Sequence, residues 1–360
     1  MKKTFSRNFA KPFDYLEFNM LAISKVVTPQ SRVAIAFDQV FLEKSGKETY
    51  GVEKFWNGSQ GRSQEGIEAS GIALINIDTK TAFPLFAQQT MPQNEIKSTF
   101  DNPEATRMDF YTHIMQEQLP KIKAAFPRVK HVIVDALFSK EKFVTGIRKF
   151  GFHVVSKLRS DANLRSLKFE KKTGRGRPKK YGHKINVNDS NDFDFVRKID
   201  DITTMFVADL YSRNLKQPIR IVRLEYKREK KTVFKLFYST DLELSPQEIL
   251  DIYCSRFQIE FTFRDGKQFT GLTEGQARSK EKIHNHINAS LSAQLIAKTE
   301  MILESEYKNE RVVFSMENVK RKNHNEMQVN RIISMLDLDE SLIKSLPGYK
   351  TLIEHGLITC

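Results

Sequence analysis

Four polar residues in the C-terminal half have types and a spacing that suit the binding of a metal ion together with a phosphate. They are Tyr253, Arg256, Glu260 and Lys267, which follow one another at intervals of three, four and seven positions. On a helix that turns about 100° per residue, all four fall within a stripe about 60° wide. A carboxylate binds a divalent cation, while hydroxyl, guanidinium and ammonium groups donate hydrogen bonds to phosphate oxygens. The spacing therefore predicts a helix that holds a metal-bound phosphate.

This helix is expected to begin at Ser245 and to run to about Gln268. Ser245 and Glu248 form a capping box, with a proline at the first helical position. Apolar residues flank the stripe, so we expect it to point inward, where buried charges need partners or a ligand. An ordinary i, i+4 ion pair between Arg256 and Glu260 is the alternative. The flanks are Ile252, Ile259 and Phe263 on one side and Phe257 and Phe261 on the other, and the expected solvent face carries Asp251, Ser255, Gln258, Thr262 and Asp265.

Two further acids could complete a metal site with Glu260. Asp38 ends the apolar, β-prone run Arg32–Asp38, and Asp135 ends the similar run His131–Asp135. An acid at the end of such a run is often only a turn residue. Considered together with the helix, the two acids predict three metal-binding carboxylates from two strands and one helix.

The composition excludes several classes of protein. The 360 residues are 40% hydrophobic and 11% aromatic, which excludes a disordered chain, a collagen-like chain and a disulfide scaffold. No apolar run approaches the roughly 18 residues of a membrane span, and we expect no membrane association. Cys254 and Cys360 are the only cysteines, and they form neither a disulfide framework nor a zinc site, as is typical of a cytoplasmic protein.

The positive charge of the chain is concentrated in one segment. The net charge is +14, from 58 Lys and Arg against 44 Asp and Glu, which predicts an anionic polymer as partner. Residues 157–184 contain eleven basic and two acidic residues, a local charge of +9. Within this segment, Arg175-Gly-Arg-Pro178 has the form of an AT-hook core, although a solvated hairpin tip is an alternative. The expected DNA-binding residues of this loop are Arg175, Arg177, Lys179 and Lys180.

The order of the expected elements indicates an α/β fold with a mixed sheet. A loop over 44–66 separates the first strand from the next, and Ser139 is expected to cap a helix that ends near Lys149. Residues 159–238 are strand-like and rich in turns. The expected divisions are a short N-terminal segment over 1–30, the first part of the core over 31–158, a β-rich basic insertion over 159–238, the second part of the core over 239–305 and a helical C-terminal region over 306–360.

These motifs resemble the DDE transposases of the insertion-sequence-four class, encoded by bacterial insertion-sequence elements. The signature of that class, Tyr-(2)-Arg-(3)-Glu-(6)-Lys, or YREK, is matched without a gap by the four residues at 253, 256, 260 and 267. Segment 253–267 is similar to the family throughout, as are Val134-Asp-Ala-Leu-Phe-Ser-Lys140 and the loop at Lys44-Ser-Gly-Lys47. The resemblance extends over roughly residues 10–300.

The resemblance implies an RNase H-like core interrupted by a β-rich insertion. It also implies two Mg²⁺ ions per site, with Mn²⁺ as a substitute, that drive in-line attack on a phosphodiester. The implied metal ligands are Asp38, Asp135 and Glu260, and the implied phosphate contacts are Tyr253, Arg256 and Lys267.

The implied activity is cut-and-paste transposition through a hairpin intermediate, with cleavage at element ends and strand transfer into target DNA. The implied partners are double-stranded DNA, as terminal inverted repeats and target, and a second copy of the chain in a synaptic homodimer. No small-molecule substrate is implied, and the implied location is the bacterial cytoplasm, at the nucleoid during action.

Two features differ from the usual pattern of this class. Only 37 residues precede Asp38, where members carry a DNA-binding region, so a truncated N-terminal segment is expected. Relatives that form a hairpin often stack a flipped base on a tryptophan of the insertion. The only tryptophan of this sequence, Trp56, lies instead in the expected loop after the first strand. A non-catalytic DNA-binding relative that inhibits transposition and another RNase H-like nuclease are the alternative functions.

Overall fold

The computed structural model describes residues 2–58, 60–167, 181–229, 231–308 and 314–358. The expected DNA-binding residues Arg175, Arg177, Lys179 and Lys180 lie outside the described residues. The helical elements are α1 Lys2–Asn8, α2 Tyr15–Ile23, α3 Gln93–Thr99, α4 Arg107–Ala125, a 3-10 turn Ala136–Phe138, α5 Glu141–Arg148, α6 Pro246–Ser255, α7 Phe257–Phe269, α8 Lys280–Lys308, α9 Met316–Met335, α10 Glu340–Ser345 and α11 Pro347–Ile353. The strands are β1 Val33–Glu43, β2 Glu53–Asn57, β3 Arg62–Asn76, β4 Thr81–Gln89, β5 His131–Ile133, β6 His153–Leu158, β7 Leu164–Ser166, β8 Asp194–Lys198, β9 Thr203–Ser212, β10 Gln217–Arg228 and β11 Lys231–Ser239.

One mixed sheet organises the described part of the chain. β1 is antiparallel to β3 and parallel to β5, and β6 continues the parallel part on the far side of β5. β3 also pairs in antiparallel fashion with β4. Three antiparallel strands followed by two parallel ones, with helices on both faces, form an RNase H-like sheet. The predicted fold class is therefore confirmed.

The β-rich segment expected within the core continues the same sheet. β11 pairs in antiparallel fashion with the core strand β6, and β10 and β9 follow in order. The strand path is β2-β3-β1-β5-β6-β11-β10-β9-β7. Backbone hydrogen bonds therefore join these strands directly to the strand that follows α5.

The two faces of β1 serve different layers, because successive side chains of a strand point to opposite sides. Ile35 and Phe37 are buried in the core on the α4 face. Ala34 and Ala36 are buried in the core on the face of α6 and α7. Asp38 continues this second set, so its side chain points towards α7.

Two local expectations differ from the structure. The expected loop over 44–66 contains β2 and the start of β3, which pair with each other. Ser139 does not cap α5, because it ends the preceding 3-10 turn and its hydroxyl donates to the carbonyl oxygen of Lys157 at 3.2 Å. In the described ranges, no helix is long and apolar enough to cross a membrane.

Candidate active site

Strand pairing places the first two expected acids side by side. In the parallel pair of β1 and β5, Ala36 lies opposite Ile133, and two further residues along each chain are Asp38 and Asp135. Asp38 lies in the middle of β1 rather than at its end, because β1 pairs with β3 up to Glu43. Asp135 follows β5 and caps the 3-10 turn, where its carboxylate accepts a hydrogen bond from the N–H of residue 137 at 2.8 Å.

The expected single helix over 245–268 is divided at Arg256. α6 ends at Ser255 and α7 begins at Phe257. The N–H of Arg256 donates to the carbonyl oxygen of Tyr253, three residues back, instead of four, and the N–H of Ile259 donates in the same way to Arg256. The break tightens the chain locally and starts a new helix above β1.

The Arg256 guanidinium joins two of the three acids. It donates to Asp38 Oδ2 at 2.8 Å and to Glu260 Oε1 at 2.6 Å. Arg256 is 8% exposed, and within the described ranges no acceptor lies in hydrogen-bond reach of its buried Nε atom. The second Asp38 oxygen accepts the N–H of Gln39 at 3.0 Å.

Burial and the neighbouring negative charges disfavour the charged forms of Asp38 and Asp135. Burial raises the pKa of Asp38 to about 7, the charges of Asp135 and Glu260 add to the rise, and Arg256 opposes it. Burial also raises the pKa of Asp135. A cation brought to this cluster would relieve the repulsion.

The other two residues of the stripe lie at its two ends. The Tyr253 ring is buried against Phe237, with centroids 4.8 Å apart, and burial raises the pKa of its hydroxyl. Lys267 is half-buried, burial lowers its pKa, and no ion pair joins it to a residue that the structure describes. A half-buried ammonium without a counter-ion is suited to accept an anion.

The expected orientation of the stripe was partly wrong. Phe257 and Phe261, expected to bury one flank, are 46% and 44% exposed, whereas Ser255 and Thr262, expected in solvent, are buried. The reason is that α7 packs through Ile259 and its neighbours against the sheet and α8, so the stripe lies at the border of the buried face. The Glu260 side chain is accordingly 44% exposed and accessible from solvent.

A glycine that sequence reasoning missed allows this packing. Gly71 of β3 lies opposite Asp38, and a Cβ atom at this position would stand 2.6 Å from Cζ of Phe263. The absence of a side chain lets α7 approach the sheet closely enough for Arg256 and Glu260 to reach β1. An isolated glycine in a strand pattern is the signal for such a close approach.

The donor set suits a hard divalent cation by its chemistry, because carboxylate oxygens are the ligands that Mg²⁺ prefers. Among the residues with described positions, however, no group of three or more His, Cys, Asp and Glu side chains converges tightly enough to hold a metal ion. The guanidinium of Arg256 takes one oxygen each of Asp38 and Glu260 instead.

The sheet topology defines an RNase H-like protein with acids on its central strands and on the helix that covers them. The family model described as Transposase DDE domain matches residues 108–296, more than half of the chain. The model described as DDE superfamily endonuclease matches residues 17–195. The chain therefore belongs to the DDE transposase domain family, with a function of the transposase or endonuclease type. No curated protein matches this sequence.

Proposed function

We propose that this protein is a DNA transposase of the YREK class, which cuts DNA at the ends of its element and transfers those ends into target DNA. The observation that carries the proposal is the Arg256 guanidinium bonded to Asp38 of the central strand and to Glu260 of the covering helix, with Asp135 near enough for its charge to raise the pKa of Asp38. Cleavage through a hairpin intermediate, by two chains joined across two DNA ends, is part of the proposal.

The three carboxylates would hold Mg²⁺ or Mn²⁺ at this place. Two such ions, when bound, supply an activated attacking oxygen and stabilise the leaving oxygen. The protein's own groups bind and orient the DNA. Lys267 and Tyr253 donate to phosphate oxygens from the two ends of the stripe, which keeps the scissile phosphate above the acids.

A small hollow beside Asp135 extends this surface for DNA. Its volume is about 170 Å³, and its lining includes Ala136, Lys140 and Arg159. Both basic side chains are exposed, and the segment 157–184, with its charge of +9, begins at this edge. Binding through these charges should weaken steeply with added salt, because each phosphate contact releases a counter-ion.

The proposal is tested with Glu260→Gln, which keeps the size of the side chain and removes its charge. We expect cleavage of DNA carrying the flanks of the gene, in Mn²⁺, to fall at least about 100-fold, while a gel shift shows unchanged binding. Glu117→Gln, which alters a glutamate on the surface of α4, serves as the matched control.

Cleavage by Glu260→Gln at the wild-type rate would refute the assignment of the acid. Strand joining by the wild-type chain distinguishes a transposase from a simple RNase H-like nuclease. Binding without cleavage by the wild-type chain would favour the non-catalytic relative instead.

A further inference from the structure

Arg256 bridges two of the carboxylates that the proposed function assigns to a divalent cation. Its two terminal nitrogens donate to Asp38 Oδ2 and Glu260 Oε1, and its charge opposes the rise that burial causes in the pKa of Asp135. A metal ion bound by the same acids needs oxygens that the guanidinium now takes. Among the described residues, Arg256 is the only cation whose charge acts on Asp38 and Asp135.

The hydrogen bonding of Arg256 is incomplete in this arrangement. Its Nε is buried and has no hydrogen-bond acceptor among the residues that the structure describes. A buried donor without an acceptor destabilises the arrangement that buries it. The guanidinium thus has an unused donor, and it would lose less by leaving the acids than a fully bonded group would.

The position of Arg256 in the chain allows it to move. It lies between α6 and α7, where the regular i to i−4 hydrogen bonding is interrupted. Its guanidinium also lies 5.0 Å from the centroid of the Phe257 ring, which is nearly half exposed to solvent. A swing of the side chain over this ring would carry the charge from the acids to the surface where DNA is proposed to bind.

We propose that Arg256 is the counter-cation of the metal-free site, and that it competes with a divalent cation for the carboxylates of Asp38 and Glu260. Cation binding releases the guanidinium, which then takes a DNA phosphate. The inference rests on the proposed function, because that function identifies the acids as metal ligands. The arrangement pairs the buried carboxylate of Asp38 with a positive charge before the cation arrives.

The competition is measured as Mn²⁺ binding to the full chain without DNA, by isothermal titration calorimetry at pH 8.5. We expect Arg256→Ala to bind Mn²⁺ at least about tenfold more tightly than the wild type, because no guanidinium has to be displaced. Arg256→Lys, with one compact charge, is expected to lie between the two. Arg264→Ala is the matched control, since Arg264 lies on the same helix and pairs with Asp265 rather than with the three acids.

Thermal unfolding provides a second measurement. Arg256→Ala should melt below the wild type without metal, and saturating Mn²⁺ should raise its melting temperature more than that of the wild type. Equal or weaker Mn²⁺ binding by Arg256→Ala would overturn the inference. Equal Mn²⁺ binding by Glu260→Gln and the wild type would instead overturn the metal assignment within the proposed function, so the two failures are distinguishable.

Discussion

Gly71→Ala tests whether close packing of α7 on the sheet sets the geometry of the acids. The added Cβ would lie 2.6 Å from Cζ and 2.8 Å from Cε1 of Phe263, and the ordinary contact distance begins at 3.4 Å. The Phe263 ring must therefore retreat by at least 0.8 Å. Glu260 lies one turn earlier on α7, so it should move away from Asp38 with the helix.

Two magnitudes follow from this displacement. Overpacking of this kind lowers the free energy of unfolding by about 1–3 kcal/mol. A misplacement of about 1 Å in a catalytic group costs on the order of 100-fold in rate. We expect Gly71→Ala to show the stability loss in urea unfolding and the rate loss in Mn²⁺-dependent DNA cleavage.

Phe263→Leu removes the ring atoms that meet the added Cβ, and it completes a double-mutant cycle with Gly71→Ala. We expect the two changes to be coupled by about 0.5–3 kcal/mol, with the double variant more stable than the sum of the single effects predicts. Gly348→Ala is the control, since a Cβ there meets nothing within 4 Å. Additive effects, or a Gly71→Ala chain with wild-type stability and cleavage, would refute the reasoning.

Two further results are expected. Below pH 7, the Mn²⁺ affinity of the DNA-free chain, measured by calorimetry, should fall about tenfold per pH unit. The reason is that the carboxyl of Asp38, with its pKa raised to about 7, must lose its proton before it binds the cation. An affinity that stays constant from pH 5.5 to 7 would contradict this. Arg223→Met should lose about 3 kcal/mol in urea unfolding, since Arg223 is 1% exposed, pairs with Glu225 at 2.7 Å and donates to the carbonyl oxygen of Val187. A variant as stable as the wild type would show that this buried pair is dispensable.

The position of Arg256 has a consequence for the order in which the proposed site is filled. A chain that holds its own counter-cation can fold and remain stable without metal, although burial and the neighbouring negative charges disfavour the charged form of Asp38. Arg256 is then available to bind DNA only after the acids have bound a divalent cation. Metal and DNA binding should therefore support each other at this site.

Local patterns in the sequence were sufficient to predict several elements. The capping box at Ser245 begins α6 as expected, because its hydrogen bonds join residues three apart in the chain. β9 and β10 lie in a segment whose own composition already predicted strands. The RNase H-like fold class was predicted from the resemblance at the YREK spacing, and it is confirmed.

Only the tertiary structure decided how these elements meet. β1 extends beyond Asp38 because β3, more than twenty residues further along, supplies hydrogen bonds up to Glu43. Phe257 and Phe261 are exposed because α7 turns its other side to the sheet.

The placement of Arg256 between Asp38 and Glu260 depends on the same packing, which Gly71 permits. The helical spacing indicates that Arg256 and Glu260 share a face, since four residues make about one turn. It carries no information about β1, because Asp38 is 218 residues away and is brought near only by the sheet. The sequence alone thus predicted a set of groups for one site, and the close approach of a helix to a glycine in the sheet decided which of them touch.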